Sequence, residues 1–429
     1  MKENKNNMWI GAQMIVSEQQ LCNDSHYREK IRKIISDAKS IVDLNGLVIM
    51  GINDSKNYEI AGEICDHLGI ESYLYHPVLA DIPGYSATQE DKVVNYVGQR
   101  GYGDVSHWKR WLDLISTAQD EQFEFLCPNN EEAVGQFLDI YKKRVNACDF
   151  DGIFFDRLRF PSASMGFGML FSCFCNACQE KFSKEYGENL LDYRILAESH
   201  IEQLKKATPS FFKNAQSLQD LVFPKEMGKF LQFRNQSIYR IVEKFTNYAK
   251  KHEKKVGLDL YSYSLSSNVA QDYELLSKTC DWIKPMMYCH ARVPSGFSLE
   301  LFCLLKSLTD LSPNLKEKDI LYLFKDILKI DLPDKGDQLI ERGVSEDMIL
   351  QEMEKINHLN LAKSVDVYAG VEVMKMGDLC MITEDILKNY LQNIINSQAK
   401  GIIMSWNILE MPFENLILIG EYLQRAPVL

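Results

Sequence analysis

From Asp149 to Phe182 the chain reads DFDGIFFDRLRFPSASMGFGMLFSCFCNACQEKF, which sets Asp156, Arg157 and Arg159 a short distance from three cysteines. Two chemistries are on offer. Asp156 ends an apolar run, and an ionised carboxylate without a partner in such surroundings is costly, so it requires either a structural partner or a reaction. Glu372, at the end of YAGVE, poses the same question, and Asp259 in KVGLDLYSYS is a third acid of this kind. Two carboxyls facing each other across a bound ligand suit glycosidic bond cleavage: one protonates the leaving oxygen, and the other attacks the anomeric carbon or activates water. The bland reading is an ion pair, with Arg157 or Arg159 for either aspartate and Lys375 for Glu372.

Cys173, Cys175 and Cys178 form a C-x-C-x-x-C group, able to bring three thiolates to one tetrahedral ion. Cys127 in FLCPNN is the best fourth ligand, and four sulfur ligands close the coordination sphere, which predicts a structural zinc rather than a catalytic one. Three cysteines within six residues are otherwise packed or free thiols. The remaining cysteines, Cys22, Cys65, Cys148, Cys280, Cys289, Cys303 and Cys380, are scattered and read as small hydrophobes.

The elements that must position these groups follow from periodicity. Eight apolar runs of strand length alternate with amphipathic stretches: 8–16, 47–52, 71–78, 151–156, 255–261, 281–288, 366–373 and 401–407. This pattern predicts a (β/α)8 TIM barrel of the α/β class, with an open doubly wound sheet as the alternative. The segment 123–129 is short and ends in Pro and Asn, so it reads as strand-like but not as a stave. One barrel domain over 1–429 is expected, with insertions at about 79–122, 157–229 and 289–365, after the third, fourth and sixth strands. All three leave the C-terminal ends of strands, the face where such barrels build their sites.

That face should carry Asn53, Asp54, His76, Asp156, Arg157, Arg159, Asp259, Tyr261, Ser262, Tyr288, His290, Glu372, Trp406 and Asn407. Arg157, Arg159, His76, Tyr261, Tyr288, His290, Trp406 and Asn407 are the candidate substrate-binding residues. Tyr75 reads as barrel filling.

Composition narrows the class. The chain has 429 residues, 46% hydrophobic and 25% charged, and a formal net charge of −12. Such an acidic balance argues against a nucleic-acid surface, and no apolar run approaches the length of a membrane span. The N-terminal MKENKNNMWIGAQMIV has no uninterrupted apolar stretch or small-residue cleavage site, so a cytoplasmic location is expected. The oligomeric state, a homo-oligomer included, is left open.

The order of CPNN, a fourth strand ending in an acid, and CFCNACQEKF resembles the zinc loop of the family forty-two β-galactosidases. DGIFFDRLRFP also resembles a broader set of glycoside hydrolase-like barrels, and the similarity is confined to about residues 126–182. It implies zinc on Cys127, Cys173, Cys175 and Cys178, and a carbohydrate substrate. The chain departs from that family where an Asn-Glu pair is expected after the fourth strand: here Asp156 is followed by Arg157. Glu372 matches the family's nucleophile by strand position only. The expectation is a glycoside hydrolase with Asp156 as general acid/base, Glu372 as nucleophile or base and Asp259 in reserve. The alternatives are a carbohydrate-binding barrel without hydrolysis and a zinc-dependent catalyst.

Overall fold

In a computed structural model of the chain, which describes residues 8–53, 55–101, 124–147 and 149–425, eight parallel strands close on themselves. In chain order they are β1 (Trp9–Ile15), β2 (Gly46–Met50), β3 (Glu71–Pro77), β4 (Gly152–Asp156), β5 (Lys255–Tyr261), β6 (Trp282–Met286), β7 (Asp366–Glu372) and β10 (Gly401–Ser405). The short antiparallel hairpin β8 (Lys375–Met376) and β9 (Cys380–Met381) lies between the last two. β10 closes the barrel onto β1, pairing Trp9 with Gly401 and Ala12 with Met404. The barrel is the fold expected from the alternation of strands and helices, and residues 124–129 contribute only an isolated bridge between Leu126 and Lys92. Asp54, Cys148 and residues 102–123, which include part of the insertion after the third strand, lie outside the described residues.

Strand alternation decides what fills the barrel. Trp9, Tyr73, Phe154, Trp282 and Tyr368 point inward and form an aromatic plug, with Trp9 stacked on Tyr368 at 4.6 Å and Phe154 on Trp282 at 5.2 Å. Glycine makes room for these rings: a Cβ on Gly257 would overlap Trp282, and one on Gly46 would overlap Trp9. Further along the strands the same inward faces turn polar, with Asp156 two residues beyond Phe154, Lys284 two beyond Trp282, Asp259 two beyond Gly257 and Gln13 four beyond Trp9. The plug therefore forms the floor of whatever the upper end holds.

Helices that include Ser25–Val42, Ser55–Leu68, Glu131–Asn146, Gly228–Lys251, Glu384–Asn396 and Phe413–Arg425 pack around the strands. Side chains fix where several of them begin: Asp24 accepts from the His26 and Tyr27 amides, and Asn130 from that of Ala133. The insertion after the sixth strand is itself helical, with Phe297–Leu311, Glu317–Leu328, Gly336–Arg342 and Asp347–Asn357. The connection after β5 differs, since it holds only the four-residue helices Tyr263–Ser266 and Tyr273–Leu276 and a turn between them.

Candidate active site

A cavity of about 230 Å3 opens above the plug at the C-terminal ends of the strands. Asp156 and Asp259 both line it, from neighbouring strands, together with Arg157, Arg159, Tyr261 and Trp406. Asp156 accepts from the Tyr75 hydroxyl at 2.7 Å through Oδ2 and from the Arg157 amide at 2.5 Å through Oδ1. Arg157 has φ of 56°, and this left-handed turn brings its N–H back onto the carboxylate. Its guanidinium pairs with Asp81. The Arg159 guanidinium lies between two rings, 4.6 Å from the centroids of both Phe125 and Tyr261.

Asp259 is held differently. Its Oδ2 accepts from Lys284 Nζ at 3.1 Å, while its Oδ1 is buried without a hydrogen-bond partner. Burial pushes its pKa up to about 7; the Lys284 charge opposes that shift and the Asp156 charge adds to it. Lys284 is fully buried and also donates to the Tyr288 hydroxyl at 2.7 Å and to Gln13 Oε1 at 3.3 Å. Tyr288 in turn donates to Ser405 Oγ at 2.9 Å. The sequence contained a signal for Lys284 that periodicity alone supplies: in WIKPM it shares the inward face with Trp282.

Two loops wall the cavity. The β8–β9 hairpin brings Met376 and Leu379, and residues 293–295 face them, with the Arg292 amide donating to the Leu379 carbonyl at 2.8 Å. Glu300, which sequence reasoning missed, ties the insertions together. Its buried carboxylate accepts from the hydroxyls of Ser162, Ser164 and Tyr261 and from the Ser164 and Ser295 amides. Ser164 is 136 residues away in sequence, so no local pattern marks the partnership.

Other expected residues are placed elsewhere. His76 is fully buried and faces the helices, packing on Tyr141 and Phe245 and meeting Arg144 through Nδ1 at 2.7 Å. Burial, then the Arg144 charge, holds its pKa well below the usual histidine value. It is the residue between the inward Tyr75 and Pro77, so strand alternation turns it away from the mouth. Glu372 has the inward parity of Tyr368, but the chain after β6 closes over it. Its Oε1 accepts from the amides of His290 and Ala291 at 2.7 and 3.2 Å, and burial raises its pKa. It does not line the cavity that Asp156 and Asp259 share.

His290 bonds Glu346 through Nε2 at 2.8 Å and the Arg342 carbonyl through Nδ1. Burial works against its charged form, but the Glu346 bond and the Glu372 and Glu346 charges outweigh it, so its pKa is raised. Asn407 accepts from the Ile15 and Leu409 amides, and the Tyr288 ring props Trp406 edge-on at 5.1 Å. Trp406 lines the cavity, whereas Asn407 and Tyr288 do not.

Among solved structures, the glycoside hydrolase domain of PgaB (BpsB) from Bordetella bronchiseptica is similar over 98% of this chain and 99% of that one, at 12% identity and a TM-score of 0.51. The two share a fold. The endo-β-1,4-mannanase from Thermotoga petrophila matches 99% of this chain and 78% of its own, at 9% identity and a TM-score of 0.42. A β-galactosidase from a Rahnella species matches 88% and 52%, at 12% and 0.41. No family model and no curated protein matches the sequence.

The cysteines form a second centre. The Sγ atoms of Cys127, Cys173, Cys175 and Cys178 are buried and lie within 4.8 Å of one another, close enough to hold one metal ion. Cys127 Sγ is 3.4 Å from that of Cys175 and 3.5 Å from that of Cys178. A tetrahedral ion with bonds of about 2.3 Å to sulfur spaces its ligands by roughly 3.8 Å, so the donors fit such an ion with little movement. Amide groups already point at the sulfurs: Val94 N–H at Cys173, and Asn129 N–H and Nδ2 at Cys127 and Cys178. Donors of this kind stabilise thiolates. Sulfur-to-sulfur hydrogen bonds from Cys127, Cys173 and Cys178 hold the Cys175 thiol far below the usual range, while burial keeps those of Cys173 and Cys178 well above it. Nearby, Arg234 is fully buried, with its pKa lowered to about 9 by burial against the opposing effect of Cys173. Its charge suits a cluster that carries net negative charge.

Proposed function

We propose that this protein is a glycoside hydrolase in which Asp156 and Asp259 are the reacting carboxyls. The observation that carries the reading is their shared cavity, where one carboxyl is fully hydrogen-bonded and the other is held near neutrality with a free oxygen. Lys284 donates to Oδ2 of Asp259, so a proton carried by this acid would sit on Oδ1. From there Asp259 serves as the general acid toward the glycosidic oxygen. Asp156, with Tyr75 and its neighbour's amide fixing both oxygens, acts as nucleophile or base. Trp406 offers an aromatic face to a sugar ring, and Arg159 is positioned by Phe125 and Tyr261. Glu372, the first choice for nucleophile from strand position, instead holds the chain at 290–291. The fold shared with the PgaB hydrolase domain agrees with this class of reaction but supplies no residue assignment.

The zinc-loop resemblance supports zinc as the ion of the four-cysteine centre. With four protein ligands it would be closed to substrate, leaving the chemistry to the carboxyls. We read the chain as one barrel domain whose insertions shape the cleft. The deciding experiment is hydrolysis of a panel of aryl glycosides and oligosaccharides. Wild type should release sugar from at least one member, and Asp156→Asn should lose that turnover with its melting temperature retained. Undiminished turnover in Asp156→Asn rejects the assignment, and binding without product release by wild type favours a non-hydrolytic barrel.

A further inference from the structure

We propose that a second groove, separate from the cleft, binds a neutral oligosaccharide. It encloses about 540 Å3, more than twice the 230 Å3 of the cleft, and shares no lining residue with it. A volume within the usual range for ligand sites admits several sugar rings, whereas the smaller cavity suits about one. The choice of carbohydrate as ligand class rests on the reading of the barrel as a glycoside hydrolase. The groove lies beside the short connection after β5, against the helix Gly228–Lys251 on one side and Asp347–Asn357 on the other.

Its polar groups determine the ligand class. The charged residues facing it are already engaged: Asp272 accepts from the Leu275 amide, and Glu274 from that of Asn360. Lys355 donates to Glu352, Ser264 and the Leu328 carbonyl. In contrast, the side-chain amides of Gln216 and Asn235 and the hydroxyls of Tyr263 and Ser267 have no hydrogen-bond partner among the described residues. Amides and hydroxyls supply donors and acceptors together, as a polyol requires, and none of them selects for charge. Tyr263 adds a half-buried ring, propped edge-on by the buried Tyr273 at 5.6 Å.

The groove and the cleft stand back to back. Gln271 accepts from the Tyr261 amide at 2.7 Å, and the Tyr273 hydroxyl donates to the Tyr261 carbonyl at 2.6 Å, while the Tyr261 side chain lines the cleft. A glycan seated in the groove would therefore be retained near the reacting carboxyls without touching them.

The test uses the full chain carrying Asp156→Asn, to prevent turnover, titrated with cellotetraose, mannotetraose and tetra-N-acetylchitotetraose and followed by calorimetry and by NMR of labelled tyrosine. At least one tetrasaccharide should bind and perturb Tyr263, and adding Asn235→Ala with Tyr263→Ala should weaken that binding by about tenfold or more. In the active background the same two substitutions should leave small aryl glycoside turnover within about twofold of wild type. The proposal is overturned if no tetrasaccharide perturbs Tyr263 at millimolar concentration, or if binding survives the two substitutions unchanged. A protein that hydrolyses nothing yet binds through Tyr263 would reject the hydrolase reading and leave the groove standing.

Discussion

The two polar centres in this barrel are built to opposite standards. Every sulfur of the cysteine centre is sealed, three of them receive protein N–H donors, and the fourth, Cys175, is bonded to its neighbours. At the carboxyl cleft the chain leaves Asp259 Oδ1 buried and unmatched, one strand away from a fully bonded Asp156. A group left unsatisfied in a cavity costs stability and is retained where a ligand completes it. The contrast agrees with the proposed reading, in which the sulfurs are structural and the carboxyls react.

The contrast can be broken most sharply at Asp156. Replacing it with Asn should cut kcat by roughly 10² to 10⁴-fold with little change in melting temperature, measured on whichever glycoside the wild type cleaves. Cys127→Ser should do the reverse: elemental analysis should show metal lost, the melting temperature should fall, and turnover per folded molecule should persist below that temperature. A full set of bound metal in Cys127→Ser would remove Cys127 from the ligand set.

Glu372→Gln sharpens the comparison from a third place. It should cost about 1–3 kcal/mol of stability, because it weakens a charged acceptor of two buried amides, while leaving kcat near wild type. A collapse of kcat at unchanged stability would return Glu372 to the mechanism. The smallest effect is a shift in pH dependence. A general acid must be protonated, so activity should fall as pH rises through about 7, the value to which burial pushes Asp259. Lys284→Met removes a charge that lowers that pKa, so the descending limb should move to higher pH. A limb that stays put would show that another group supplies the proton.

How much of this was legible depended on range. Strands and their polar ends were readable because alternation is a local property, and the same rule turns His76 outward and Lys284 inward once the register is known. The cysteine cluster was readable from spacing, with Cys127 supplied by its place before the fourth strand. Glu372 shares the inward parity of Tyr368 yet does not line the cavity, because parity says which way a side chain leaves the strand, not whether a later loop closes over it. Glu300 was invisible, since its partners come from three separate segments that only the folded chain brings together. The groove beside β5 lies at a connection that holds only four-residue helices, a detail that the alternating pattern does not specify.

Phe125 stands two residues before Cys127, and its ring covers one face of Arg159 in the cleft. On the proposed reading, ordering the sulfurs would order part of the surface that meets the sugar. An ion at the cysteines and a sugar in the cleft would then be thermodynamically linked, each tightening the other's binding by the same factor although neither touches the other.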